Sequence, residues 1–203
     1  MEKKFTEKES LDLIVGMIEN AKTNVRKGLG KHFLLWGYLV TFAGLMNFIF
    51  WGKSWAFLGW LGMLPIGIIG GFIIGRRNAR EARYYTHIDK IVGFVWTGFS
   101  ISLAVITFAV FNPFMLINLT RGNLFFFYPS MLTIAAIALF ISGKAYQFKP
   151  LIYGAFICWA CAVICYFTEL RYDTLIYVIG FMLGYIIPGH MIMHKGSNTN
   201  RNV

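Results

Sequence analysis

Six long apolar runs decide what this chain can fold into. Asp, Glu, Lys and Arg are absent from residues 33–52, 55–75, 91–111, 124–143, 151–167 and 174–193. A helix needs about 20 apolar residues to cross the hydrocarbon core of a bilayer. We therefore predict an all-α integral membrane protein, in which a six-helix bundle (33–193) follows residues 1–32 and precedes a flexible cytoplasmic tail (194–203).

The connections between these runs predict how the helices pair. Residues 53–54, 112–123 and 168–173 join the runs two by two, and short connections make antiparallel neighbours. We expect three transmembrane hairpins. Only 14% of the residues are charged, against about 25% in a typical soluble domain, so the lipid bilayer is the expected surrounding of the bundle.

The placement of basic residues predicts the orientation. Sixteen of the 19 Lys and Arg residues lie in four segments, 1–32, 76–90, 144–150 and 194–203. Cytoplasmic loops carry such an excess, so we expect a multi-pass inner (plasma) membrane protein with both termini in the cytoplasm. The net charge of +10 then reflects topology, with attraction to anionic lipids as a by-product. We expect no nucleic-acid partner.

The segment before the first run has the pattern of a capped amphipathic helix. Thr6 and Glu9 form a capping box, and Leu11, Ile14 and Ile18 recur at helical spacing. Gly28 or Gly30 is expected to end this helix. Its apolar side could contact lipid, the bundle or a protein partner, and the sequence leaves these three open.

A basic cluster follows the second run. It consists of Arg76, Arg77, Arg80 and Arg83, of which the first, third and fourth share one face of a helix. We interpret the cluster first as a topological signal that faces lipid head groups. The alternative is a docking site for an acidic protein or a phosphorylated ligand.

Glycine stripes predict where helices approach closely. Gly67, Gly71 and Gly75 recur every four residues in the second run, as do Gly180 and Gly184 in the sixth. Small residues let membrane helices pack backbone to backbone. We favour packing within the bundle, with a homodimer seam on the second helix as the alternative.

Residues that carry chemistry are few. No nucleotide-binding, metalloprotease or hydrolase motif occurs, and we expect neither a cofactor nor an enzymatic activity. His190 and His194 lie one turn apart, the spacing for a shared metal, and His32, His87 or Asp89 could complete such a site. Against a metal site, the helix dipole favours histidine near a helix C-terminus even when no ligand is bound. Three cysteines (Cys158, Cys161, Cys165) are interpreted as small buried hydrophobes rather than a Cu(I) relay.

The stretches "FTEKESLDLI" and "GKHFLLWGYLV" resemble a family of short bacterial inner-membrane proteins that have this pre-membrane helix and no assigned activity. The resemblance implies a bacterial inner membrane and no catalytic residue.

The sequence as a whole leaves three hypotheses for the function. The first is an accessory or regulatory protein that binds a partner through the N-terminal helix and the Arg cluster. The second is a carrier or channel for a neutral or apolar molecule, with a cavity lined by Asn47, Thr97, Ser100 and Thr133. The third is an enzyme that uses the histidines.

Overall fold

The computed structural model describes residues 7–53, 55–81, 87–111 and 126–199. Within these ranges, side chains are described except at residues 7–10, 12–27, 81, 111 and 195–199. The described chain is helical and contains no strand. This confirms the all-α class that the apolar runs predict.

The helices follow the apolar runs in order. They are α1 (Glu7–Ile49), α2 (Leu58–Glu81), α3 (His87–Phe111), α4 (Phe127–Ala145), α5 (Lys149–Cys165), α6 (Leu170–Phe181), a π-helical segment (Met182–Ile186) and α7 (Ile187–Thr199). The last three continue one another without a break.

Five stretches are long and apolar enough to cross a membrane. They are Gly28–Ile49, Leu58–Arg80, His87–Val110, Phe127–Ala145 and Leu170–His194. The helix α5 is also apolar but has only 17 residues. In the described residues, this helix content is that of a multi-pass membrane protein.

The first helix does not end where its glycines suggest. It runs through Gly28 and Gly30 to Ile49 as one helix of 43 residues. These glycines serve close packing instead. A Cβ at Gly28 would lie 2.6 Å from Asn78 Nδ2, and one at Gly30 would lie 2.9 Å from Ile192 Cγ2. The predicted linker before the first membrane helix is therefore absent from the described chain, and Thr6 of the capping box lies outside it.

Other helices also extend beyond the apolar runs. The helix α2 continues past Arg76 and Arg80 to Glu81, α3 already begins at His87, and α7 extends to Thr199. Residues 194–199, which the sequence analysis assigns to a flexible tail, are thus helical, and the flexibility of the tail stays a prediction. A helix continues past its apolar stretch because backbone hydrogen bonds, and not side-chain polarity, hold each added residue.

The helices pack as an inner group with two outer members. The most extensive contact joins α4 and α5, and α1 packs along α6, the π segment and α7. The pairs α1–α2, α3–α4 and α5–α6 are in contact, as the short connections predict. Among the described elements, α2 packs extensively only on α1, and α3 only on α4. The core, with Leu132, Leu139, Leu151 and Cys158 fully buried, lies in the inner group.

Candidate functional site

A cavity of about 690 Å³ lies between α1, α2 and α3, and residues of α6 and the π segment form its back. Ligand pockets in proteins typically have volumes of about 300–1,000 Å³. This cavity therefore has room for a small organic molecule.

Polar side chains gather at one end of the cavity. Lys31 and His32 come from α1, Asn78 from the last turns of α2, Asp89 from the first turn of α3 and Tyr146 from the turn after α4. The Tyr146 hydroxyl donates a hydrogen bond to Asp89 Oδ1 at 3.0 Å. We call these five residues the polar mouth.

The interior of the cavity is aromatic. The ring of Phe33 lies 5.3 Å from that of Trp96 and 5.5 Å from that of Tyr185, and Phe181 stacks on Tyr185 at 4.5 Å. Trp96 Nε1 donates a hydrogen bond to Ser142 Oγ at 3.1 Å, which fixes the indole against α4. Such edge-to-face and stacked rings form a well-defined wall for an apolar ligand.

Tyr185 contributes a buried hydroxyl group to the cavity. The residue lies in the π segment, lines the cavity and is only 2% exposed. Its hydroxyl has no hydrogen-bond partner among the described residues. An unsatisfied buried hydroxyl costs about 1–3 kcal/mol, and π segments often occur at functional sites. A ligand that accepts this hydrogen bond would remove the cost.

The cavity has a side that the described residues leave open. Gly75 of α2 and Gly93 of α3 both line it, and a Cβ at either position would meet no described atom within 4 Å. On the same side, the lining residues Leu64 and Ile68 of α2 are exposed. Since α2 and α3 pack on different partners, the space between them connects the cavity with the surroundings of the bundle.

The predicted glycine stripes have several roles. The indole of Trp36 covers Gly67, the imidazole of His32 lies beside Gly71, and Gly75 faces the cavity. Gly67 therefore packs within the chain, and the homodimer seam stays an alternative prediction.

The sixth-run glycines lie in the core. A Cβ at Gly180 would meet Leu132, and one at Gly184 would meet Cys158 and Gly154. Cys158, Cys161 and Cys165 are buried and unpaired, on the side of α5 that faces these glycines.

The histidine pair is placed apart from the cavity. Tyr38 Oη and His190 Nε2 form a hydrogen bond of 2.7 Å, so one nitrogen of His190 is already occupied. In the described part of the chain, no group of three His, Cys, Asp or Glu side chains could hold a metal ion. His194 is exposed near the end of α7, and the metal pair stays a prediction.

Those predicted contact residues whose side chains are described lie on the surface. Arg76, Arg77 and Arg80 are exposed, and the guanidinium of Arg76 lies over the ring of Phe72 at 5.1 Å. Arg83 lies outside the described residues. Leu11 is 64% exposed. For Ile14 and Ile18 only the helical backbone is described.

Of the four residues predicted to line a cavity, Ser100 alone lines this one. The hydroxyl of Thr97 donates to the Gly93 carbonyl and that of Thr133 to the Pro129 carbonyl. Asn47 is half-buried, and its Oδ1 has no hydrogen-bond partner in the described chain. The actual lining is mostly apolar and includes eight Phe, Trp and Tyr residues. Apolar residues within an apolar run give no sequence signal that separates a cavity wall from a packed core.

Asp173 is a buried acidic residue whose burial the sequence does not indicate. It follows a polar connection, yet it is 0% exposed in the first turn of α6. Thr168 Oγ1 donates a hydrogen bond to Asp173 Oδ1, while Oδ2 finds no partner among the described residues. The sequence places Asp173 in a polar connection between apolar runs, whereas the structure buries its carboxyl group in α6.

The chain was compared with known protein families, curated proteins and solved structures. No protein-family model, curated protein or solved structure matches the chain. The resemblance to the short inner-membrane family therefore stays an expectation from the first fifty residues.

Proposed function

We propose that this chain is a multi-pass membrane protein that holds a small, largely apolar molecule in the cavity between α1, α2 and α3. The cavity carries this proposal, because it combines a volume of about 690 Å³ with an aromatic interior and one polar mouth. Ligand sites are typically mostly apolar with a few placed polar groups.

The membrane setting and orientation are part of the proposal. Five long apolar helices support it, and the 16-to-3 distribution of basic residues favours cytoplasmic termini. In this orientation the polar mouth lies at the cytoplasmic side. The bacterial inner membrane is the location that the family resemblance implies.

A pair of glycine substitutions tests the cavity. Gly93 and Gly98 both lie on α3, and an added Cβ at either would meet nothing within 4 Å, but only Gly93 lines the cavity. Gly93→Leu should place a bulky side chain in the cavity and compete with a ligand, and Gly98→Leu is its matched control. Native mass spectrometry of protein released from its own membrane should show one bound small molecule on the wild type and on Gly98→Leu, and none on Gly93→Leu. A wild-type chain without a bound molecule, or equal occupancy in all three, would contradict the proposal.

The length of α1 favours a second function, the binding of a protein partner. Its 43 residues extend about 64 Å, about twice the hydrocarbon thickness of roughly 30 Å. If Gly28–Ile49 crosses the membrane, the part before Gly28 projects from it as one rigid piece, with Leu11 exposed.

Photocrosslinking in cells tests this second function. A photoreactive residue at Leu11 should give a discrete protein adduct. The same residue at Phe108, which is exposed on α3, should give lipid adducts only. Lipid adducts alone at both positions would exclude a partner at Leu11.

A further inference from the structure

We infer that the ligand of the cavity is an uncharged molecule with a planar conjugated ring, which contacts the indoles of Trp36 and Trp96. The inference rests on the proposed function and adds the chemical class of the ligand. The charge of the lining, the rings of the wall and the open side of the cavity each favour this class.

With histidine neutral, the formal charges of the cavity lining cancel. The lining includes one lysine, Lys31, and one carboxylate, Asp89, and both lie at the polar mouth. Asp89 accepts a hydrogen bond from Tyr146. An ion in this cavity would bring a charge that the lining does not balance, and an unbalanced charge in an apolar surrounding is costly. The lining therefore favours an uncharged ligand.

The open side of the cavity favours the same choice. The exposed residues Leu64 and Ile68 lie on this side, and none of the described lining residues beyond the polar mouth is charged. In the proposed membrane, a ligand that enters between α2 and α3 comes from the acyl chains of the lipids. An ion would have to lose its hydration to take this path, whereas an uncharged molecule takes it without that cost.

Aromatic rings form much of the accessible wall. Trp36, Trp96 and Phe99 line the cavity, and each is only half-buried and keeps part of its surface accessible. The hydrogen bond to Ser142 fixes the indole of Trp96, and the ring of Phe99 meets this indole edge to face at 5.4 Å. Stacked and edge-to-face rings attract one another beyond the effect of the area that they bury. A saturated chain gains only from buried area, so this wall prefers a planar ring.

Uncharged polar groups of the lining suit a hydroxyl or carbonyl substituent on that ring. Asn78 of α2 is half-buried and lines the cavity, and its carboxamide can both donate and accept a hydrogen bond. Ser100 of α3 also lines the cavity. Its hydroxyl donates to the Trp96 carbonyl and retains its capacity as an acceptor. A ligand can therefore be oriented by hydrogen bonds that involve no charge.

Three probes with related skeletons test the inference. Naphthol has a planar conjugated ring, decahydronaphthol has the same carbon skeleton without a planar ring, and naphthoate adds a negative charge to the planar ring. The full chain is purified in mild detergent, stripped of small molecules and immobilised. Tritiated naphthol is then bound at neutral pH and displaced by each unlabelled probe. The pair Gly93→Leu and Gly98→Leu shows whether the naphthol binds in the cavity.

We expect saturable naphthol binding by the wild type and by Gly98→Leu, and at least about ten-fold weaker binding by Gly93→Leu. Decahydronaphthol and naphthoate should each compete about ten-fold more weakly than naphthol. Equal or stronger competition by either analogue would overturn the inference and leave the proposed function standing. The absence of saturable naphthol binding would also overturn the inference, and the native mass spectrometry of the protein from its own membrane would then decide the proposed function separately.

Leucine substitutions test the contact with the indoles. Trp36→Leu should lower the ratio of naphthol to decahydronaphthol affinity about five-fold, because leucine offers no ring on which naphthol can stack. Trp159→Leu is the matched control, since Trp159 packs on Phe140 and Phe156 outside the cavity, and it should leave the ratio unchanged. Trp96→Leu is a second variant in case Trp36→Leu does not fold. Decahydronaphthol binding reports that a variant has folded, and an unchanged ratio in a folded Trp36→Leu or Trp96→Leu protein would refute the contact with that indole.

Discussion

Gly154 and Gly184 bring α5 and the π segment into backbone contact. A Cβ at Gly154 would lie 2.9 Å from the carbonyl oxygen of Gly184 and 3.0 Å from its Cα. A backbone atom cannot move aside as the end of a side chain can. In a membrane, where lipid provides no hydrophobic force between helices, such close approach is a main source of association.

Gly154→Ala should therefore destabilise the protein. We expect a loss of about 1–3 kcal/mol, because the added methyl group overpacks a closed contact. Gly62→Ala is the control, since an added Cβ there meets nothing described within 4 Å and Ala is the better helix former by about 1 kcal/mol. Thermal unfolding in mild detergent measures both, and equal melting temperatures would refute the assigned role of Gly154.

Two aromatic residues of the cavity should respond in opposite directions. Tyr185→Phe removes a hydroxyl that lacks a described partner, so the ligand-free protein should be as stable as the wild type or more so. Trp96→Phe leaves the fully buried Ser142 hydroxyl without its donor, which should cost at least about 1 kcal/mol. Thermal unfolding after ligand removal compares them. A Tyr185→Phe protein that melts as early as Trp96→Phe would show that the Tyr185 hydroxyl is satisfied.

The helix α1 links two parts of the molecule that the sequence suggested to be separate. Gly28 packs closely on Asn78 of α2, and Gly30 packs closely on Ile192 of α7. The helix α1 therefore contacts both helices at the level of the polar mouth. Lys31 and His32 follow in the next turn and line the cavity. The same helix thus carries the N-terminal segment and part of the polar mouth.

A distance measurement tests the continuity of α1. Spin labels at Leu11 and Ile49, both exposed positions, are 38 residues apart in the sequence. A continuous helix separates their backbones by about 57 Å. Double electron–electron resonance should give one narrow distance distribution near this value. A broad distribution at shorter distances would indicate that the helix breaks at its glycines.

The chain as a whole has a topology that fusions can establish. We expect alkaline phosphatase fused after Lys53 to be active, since this connection faces away from the cytoplasm in the proposed orientation. The same enzyme fused after Val203 should be inactive, and a fluorescent protein should give the reverse pattern. Active phosphatase at both positions would contradict an even number of crossings.

The sequence predicts the helices well because lipid leaves the backbone few alternatives. It predicts their ends less well, since Lys31, Arg80 and Asp89 are charged and still helical. The site escapes prediction for a different reason. Ile68 is exposed and Val178 is buried, yet both are apolar residues within apolar runs. When every face of a helix is apolar, residue type does not tell which face contacts lipid, a cavity or another helix.

The separation of α2 from α3 makes the cavity sensitive to the surrounding lipid. Each packs extensively on one partner among the described helices, so in the proposed bilayer we expect acyl chains to complete the wall between them. The width of the cavity then depends on the lateral pressure that these chains exert. Bilayers of different unsaturation should therefore tune how much ligand the protein holds, and the lipid composition itself becomes a regulator of its occupancy.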